Sequence, residues 1–259
     1  MKKLFVCPNK GTRQHMDTAA GCIELLQERL HVMCSLDMDT SRLIYGDDRL
    51  ANFDVSQADA IVAIGGDGAV LRAAQLALEA GKPLFGINSG RVGHLCCMQL
   101  DDLKTLTEEQ FAKFSLSNRT LLSVQVGDST HVALNDVIIS KAHFGETLEL
   151  SLEVDGESIA HFRGDGLIVS TPTGSTAYNA SAGGPVVDAD VRAVVLTAIC
   201  PHNQKVTPRV VCDTAQICVH IVRATNGSAQ VFADGVHLGN TADDVKICCS
   251  EKKLVLYCR

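Results

Sequence analysis

Asp67 is the only carboxylate in the run Ile64-Gly65-Gly66-Asp67-Gly68-Ala69-Val70, where a fully apolar stretch gives way to a helical pattern. At such a junction the backbones of Gly65, Gly66 and Gly68 and the first helix amides can hold a phosphate. A carboxylate repels phosphate unless it takes a proton or binds a metal. The competing reading makes Asp67 a helix cap. A second glycine turn, Gly86-Ile87-Asn88-Ser89-Gly90-Arg91-Val92-Gly93-His94-Leu95, offers an anion the polar groups of Asn88, Gly90 and Arg91. Its competing reading is a tight structural turn with His94 packed or capping.

Asn135 and Asp136 are adjacent inside the apolar run Ala133–Ile139, where an unpaired polar pair would be costly. An amide can read an adenine edge, and a carboxylate can accept from two ribose hydroxyls. A bulge or a solvated strand end would also explain the pair. The segment Arg163-Gly164-Asp165-Gly166-Leu167-Ile168-Val169-Ser170-Thr171-Pro172-Thr173-Gly174-Ser175-Thr176-Ala177-Tyr178 is a strand that delivers a row of hydroxyls and turn amides to one place. Asn179, Ala180 and Ser181 continue it. Such a row donates to phosphates, sugars or amides, or it is simply a strand leaving the core through a polar turn. Asp234-Gly235 reads as a turn. No Gly-x-x-x-x-Gly-Lys-Ser/Thr loop and no continuous Gly-x-Gly-x-x-Gly fingerprint occurs, so a nucleotide would have to be held in another way.

The pattern around these residues predicts the elements that position them. Strands are expected at Leu4–Cys7, Val32–Met38, Ala60–Ile64 and Pro83–Ile87, with helices at Met16–Leu30 and Val70–Ala80. This β-α-β order argues for a parallel, Rossmann-like sheet over residues 1–113. From 114 to 240 strand-like runs follow one another through polar turns, Asp155-Gly156 and Asn226-Gly227 among them, which predicts a β-rich domain. The runs Val132–Ser140 and Ser158–Phe162 lie within it. The last strands, Val245–Cys249 and Leu254–Cys258 in the segment 241–259, would close either domain.

The chain has 259 residues, 46% of them hydrophobic and 20% charged, which fits a folded protein and excludes disorder. A net charge of −7 argues against nonspecific nucleic-acid binding. It leaves room for a small anion at a locally positive site. No apolar run is long enough to span a membrane, and the amino-terminal run is interrupted at Pro8 and Asn9. Eleven cysteines without a Cys-x-x-Cys pair predict reduced, buried thiols in a cytoplasmic protein.

Together, Gly65-Gly66-Asp67-Gly68, Gly86-Ile87-Asn88 with Gly90 and Gly93, Leu134-Asn135-Asp136 and above all Asp165–Tyr178 closely resemble the NAD kinases. Pro201-His202 and Pro208 match a further stretch of that family. The glycine-aspartate motif is shared with lipid kinases and phosphofructokinases; the Thr-Pro-Thr-Gly-Ser-Thr-Ala-Tyr run is far more specific. The resemblance implies a cytosolic enzyme moving the terminal phosphate of ATP, or of polyphosphate, to the 2′-hydroxyl of the adenosine ribose of NAD. It implies a Rossmann-like amino-terminal domain, a β-rich carboxyl-terminal domain, an active site in the cleft between them, a chain end returning to the first domain, and a homodimer or homotetramer. Magnesium would arrive with ATP, since no dedicated carboxylate cage is visible.

By the same resemblance Asp67 is the general base, and Asp67, Gly68 and Arg72 contact NAD. Asn135 reads adenine, Asp136 holds the ribose hydroxyls, and Arg163, Asp165, Thr173, Thr176, Ala177, Tyr178, Asn179, Ala180 and Ser181 line the dinucleotide pocket. Gly65, Gly66, Gly68, Asn88, Gly90 and Arg91 hold the phosphates of ATP. Two positions depart from the family: Asp136 stands where Glu is usual, and Val236 where Gln is frequent, with His237 beside it. A lipid kinase of the same superfamily lacks a reason for the Thr173–Tyr178 hydroxyls, and a non-catalytic dinucleotide sensor lacks one for Asp67.

Overall fold

The computed structural model describes residues 2–90, 93–202 and 205–258 and divides the chain into two compact units, Met1–Asn118 with Leu254–Arg259, and Arg119–Lys253. In the first unit β1 (Lys3–Pro8), β2 (Met33–Ser35), β3 (Ala60–Gly65) and β4 (Leu84–Asn88) form a parallel sheet in the order β2-β1-β3-β4. Helices α1 (Arg13–Leu30), α2 (Met38–Tyr45) and α3 (Asp67–Ala80) connect them. β3 and β4 are buried along their whole length, as their predominantly apolar sequences require when helices cover a parallel sheet. The short strand β5 (Met98–Gln99) extends β4 on one side. The helices α4 (Leu100–Leu103) and α5 (Glu108–Phe111) and the strand β6 (Ser115–Arg119) follow.

One expectation changes here. The predicted strand Val32–Met38 ends at Ser35, because Asp37 accepts the amide of Thr40 and starts α2. The last two strands also part company. Leu254–Cys258 pairs with β4 in parallel, whereas Val245–Cys249 belongs to the second unit. Phe85 of β4, Phe111, Phe114 and Tyr257 form one ring cluster with centroids 5.3–6.0 Å apart, which fixes the returning strand to the sheet.

The second unit is built of β7 (Leu122–Val126), β8 (Ser129–Ala133), β9 (Asp136–Ser140), β10 (Leu148–Val154), β11 (Glu157–Gly164) and β12 (Gly166–Ser170). β13 (Ala193–Ile199), β14 (Arg209–Cys212), β15 (Ile217–Ala224), β16 (Ala229–Ala233), β17 (Val236–Thr241) and β18 (Val245–Cys249) complete it. They make two six-stranded antiparallel sheets, β11-β10-β15-β18-β7-β8 and β14-β13-β12-β9-β16-β17. Leu150, Val219 and Ile247 of the first sheet and Ile139, Val169 and Val231 of the second share one core. The predicted single strand Val132–Ser140 is broken at Leu134-Asn135, so the polar pair sits where the chain passes from β8 to β9.

All eleven cysteines are free thiols. Burial pushes those of Cys22 and Cys34 up to about 12, whereas Cys200 and Cys212 are exposed and depart from the reading of buried thiols. No helix among the described residues is long and apolar enough to cross a membrane.

Phe85 is 1% exposed and touches three other rings. Phe85→Ala is expected to cost ~3–5 kcal/mol of unfolding free energy. Urea denaturation followed by circular dichroism measures it; a loss under about 1 kcal/mol would show that the returning strand is held by something else.

Candidate active site

Two groups of side chains carry the candidate chemistry, one in each unit. In the first, β3 ends at Gly65 and α3 begins at Asp67, with Gly66 as N-cap and no side-chain capping bond. Asp67 is therefore not a cap. Its Oδ2 accepts the His94 amide and its Oδ1 the Leu95 amide, both at 3.0 Å. These bonds tie the carboxylate to the turn that follows β4. A Cβ on Gly93 would lie 2.5 Å from Asp67 Oδ1, so only glycine lets this turn close on the carboxylate. Each oxygen keeps a lone pair for another donor.

Arg72 lies one turn along α3 and is exposed. It lines a cavity of about 550 Å³ with Asn9, Lys10, Gly11 and Asp37. The sequence reading missed Asn9 and Lys10. Asn9 donates its amide to the Ile64 carbonyl, which places the loop after β1 beside Gly65 at the carboxyl ends of adjacent parallel strands. The Pro-Asn-Lys-Gly turn that closes β1 was the available signal.

Asn88 departs from its expected role as a phosphate contact. It is 1% exposed, donates to Gln99 Oε1 and accepts the Gly90 amide, so it shapes the turn. Arg91 lies outside the described residues.

In the second unit the organising group is Asp234, which does more than open a turn. Its Oδ2 accepts the Leu134 amide at 2.7 Å, and its Oδ1 accepts those of Asn135 at 2.7 Å and Asp136 at 3.2 Å. Its own amide donates to the Asp136 carbonyl. Sequence reasoning had no means of pairing positions a hundred residues apart; the acidic residue opening a tight turn was the only hint.

The side chains so placed are buried and partly unpaired. Asn135 is 8% exposed and its Oδ1 has no partner; the same holds for Thr173 and its Oγ1. Buried polar atoms without partners are costly and mark places where a ligand or water completes the bonding. Asp136 is 5% exposed, and burial first, then the charge of Asp234, raises its carboxyl to about 7. Burial also raises the Asp234 carboxyl above its ordinary value, and the three amides it accepts offset part of that rise.

The Thr-Pro-Thr-Gly-Ser-Thr run folds against Asn135 from the other side. The Thr171 amide and the Ser170 hydroxyl donate to the Asn135 carbonyl, and the Thr171 hydroxyl donates to the Leu134 carbonyl at 2.6 Å. A Cβ on Gly174 would lie 2.1 Å from the Asn135 carbonyl oxygen, which only glycine allows. Thr176, Ala177 and Ala180 are half-buried, and Tyr178 and Ser181 are exposed beside them. Asn179 departs from the expectation of ligand contact. It is fully buried, donates to the carbonyls of Ser175 and Pro185, and accepts the Thr197 hydroxyl, so its amide locks the turn.

Arg163 and Asp165 flank the start of β12. Arg163 is exposed and its Nε donates to Glu149 Oε2 across the β10–β11 pair, so its charge is already engaged. Asp165 is paired with Lys141 Nζ at 2.7 Å and approached by His202 Nε2 at 3.9 Å. Val236 is exposed, and His237 Nε2 meets Asn240 Oδ1 while its ring lies against Phe232.

The raised carboxyl of Asp136 has a measurable consequence. Between its ordinary 3.8 and about 7, folded Asp136 holds a proton that the unfolded chain releases. Its contribution to stability is therefore full below pH 3.8 and lost as the pH rises to about 7. Urea unfolding at pH 5 and pH 8 should show wild type losing more stability over that step than Asp136→Asn. Equal slopes would mean that Asp136 is ionised in the fold.

Comparisons with known proteins bear on this arrangement. The family model described as the ATP-NAD kinase N-terminal domain matches residues 4–113, and that of the C-terminal domain matches residues 134–258. An NAD kinase of Moorella thermoacetica is 35% identical over 91% of this chain and 77% of its own length. An NAD kinase of Thiobacillus denitrificans is 38% identical over 70% of this chain and 64% of its own length, so the matched part spans just under two thirds of that relative. Among solved structures, an NAD kinase from Archaeoglobus fulgidus in complex with ATP is 28% identical, with a TM-score of 0.76 over 99% of this chain and 93% of that one. Yeast NADH kinase complexed with NADH, at 21% identity and a TM-score of 0.84 over 100% of this chain and 84% of that one, shares the fold. Matches to both domain models, together with relatives above 30% identity over most of their length, establish that this chain belongs to the NAD kinase family of phosphotransferases.

Proposed function

We propose that the chain transfers the terminal phosphate of ATP to the 2′-hydroxyl of the adenosine ribose of NAD, giving NADP and ADP, with Asp67 as general base. The observation that carries the substrate is the pairing of Asn135 and Asp136 under Asp234, with Asn135 Oδ1 and Thr173 Oγ1 buried and unpaired. An amide reading an adenine edge and a carboxylate accepting ribose hydroxyls would satisfy these groups. Thr176, Ala177, Tyr178, Ala180 and Ser181 line the remainder of the dinucleotide site, and Tyr178 covers a ring. Asp165, with Lys141 and His202 beside it, lies at the other end of β12 from Ser170.

Phosphoryl transfer asks the protein mainly for alignment and charge neutralisation. The amides at the start of α3 and the glycine turns are suited to the phosphates of ATP, and Arg72 to a phosphate of NAD. A divalent cation arriving with ATP, magnesium above all, would supply the remaining neutralisation. Asp67 Oδ1 and Oδ2 each keep a free lone pair, and one receives the proton of the 2′-hydroxyl as its oxygen bonds to the γ-phosphorus and the bond to the β-γ bridging oxygen breaks. The two amide bonds from His94 and Leu95 hold that carboxylate in one orientation before the substrate arrives. The family resemblance also supports a homodimer or homotetramer, which light scattering measures.

Asp67→Asn keeps the shape of the side chain and an acceptor for one loop amide, but removes the base. Turnover of NAD to NADP with Mg-ATP is expected to fall ~10²–10⁴-fold while the NAD Michaelis constant changes little. Near wild-type turnover in folded Asp67→Asn would leave Asp67 as no more than a tie between α3 and the turn at Gly93.

A further inference from the structure

On the sheet of the second unit that contains β15 stands a cluster of metal-ligating side chains that the proposed reaction does not use. Cys218 and His220 are two residues apart on β15 and so project from the same face. Glu153 of β10 and Lys246 of β18 are the register partners of Cys218, and Asp244 directly precedes β18. The ligand atoms of Cys218, His220 and Asp244 all lie within 4.8 Å of one another. His220 Nδ1 is 2.9 Å from Asp244 Oδ1 and 3.9 Å from Cys218 Sγ. On the other side of the ring, Nε2 is shut off from water, makes no aligned hydrogen bond and sits 3.3 Å from Glu153 Oε1.

We propose that Cys218 Sγ, His220 Nδ1 and an Asp244 carboxylate oxygen bind a zinc-class divalent transition-metal ion, with Glu153 orienting the imidazole through Nε2–H. The donor set decides the metal: sulfur and nitrogen beside one oxygen suit zinc or cobalt, whereas magnesium and calcium prefer all-oxygen cages. Arms of ~2.0–2.3 Å put tetrahedral ligands ~3.5 Å apart, so Cys218 Sγ must close on the other two atoms by at most ~1.3 Å while the His220–Asp244 pair opens by ~0.6 Å. Metal at Nδ1 requires the ring proton on Nε2, and a carboxylate is already there to receive its hydrogen bond. The fourth position is left to water. Asp244 and Glu153 outweigh the single cation Lys246 that faces the thiol. Sulfur binds the ion as a thiolate, so binding releases the Cys218 proton and strengthens as the pH rises. The ion would staple β15 to the start of β18, with Glu153 holding β10 alongside.

The competing arrangement is a protonated His220 bridging Asp244 and Glu153, which also raises its pKa. Cobalt titration of the chelator-treated full chain separates the two. Wild type is expected to take up one equivalent more than Cys218→Ser or His220→Ala, with a thiolate-to-cobalt charge-transfer band and tetrahedral d–d absorption that both variants lack. Glu153→Gln should keep the spectrum but bind ~10–100-fold more weakly. The other ten cysteines are common to wild type and Cys218→Ser, so they cancel in that difference. Superimposable titrations of wild type and Cys218→Ser, or full affinity in His220→Ala, would overturn the proposal. Should Cys218→Ser fail to fold, Asp244→Asn, whose side chain is half exposed, carries the same comparison.

Discussion

A carboxylate that accepts three successive backbone amides is the constraint on which the second unit's site depends. Asp234 spends both oxygens on Leu134, Asn135 and Asp136. Free amides at a strand break would otherwise seek water or draw the chain into an ordinary ladder. With the amides pinned from one side, the carbonyls of Leu134 and Asn135 face the other, where Thr171 and Ser170 take them. Gly174 then approaches within a distance no side chain could tolerate. The polar side chains of Asn135 and Thr173 are left buried with an unpaired atom each, which is an expensive arrangement unless a ligand completes it.

The first unit uses the same device in reverse. There a single carboxylate, Asp67, accepts two amides from a glycine turn, and the turn rather than the strand is what is positioned. In both places an acidic side chain organises backbone donors, and in both a glycine supplies the close approach. This explains how a chain of net charge −7 can still present sites for anions: the positive ends are amide dipoles and isolated cations such as Arg72.

Much of this was legible in the sequence because it is local. The junction of an apolar strand, a glycine turn and a helix at Gly65–Asp67 is written in adjacent residues, and so is the hydroxyl run after β12. The Asn135-Asp136 pair stood out because polar residues interrupted an apolar strand. What was missed is non-local or needs burial to be known. Asp234 gains its meaning from residues a hundred positions away. Asn88 and Asn179 look like ligand contacts by type and place, yet their amides are consumed by Gln99 and Gly90 and by Ser175, Pro185 and Thr197. Helix α2 went unseen because capping by Asp37 outweighed the strand-like residues before it.

If Asn135 and Asp136 read the adenosine of NAD as proposed, Asp234 holds them in place through three backbone amides. In Asp234→Asn the amide retains one acceptor oxygen where three donors need two. Steady-state formation of NADP, with NAD and ATP varied separately, should show the NAD Michaelis constant raised roughly tenfold or more, the equivalent of about 1.4 kcal/mol of lost binding. The ATP Michaelis constant should stay within about twofold, less than a single lost hydrogen bond would cost. An unchanged NAD constant in folded Asp234→Asn, or equal losses for both substrates, would contradict the account.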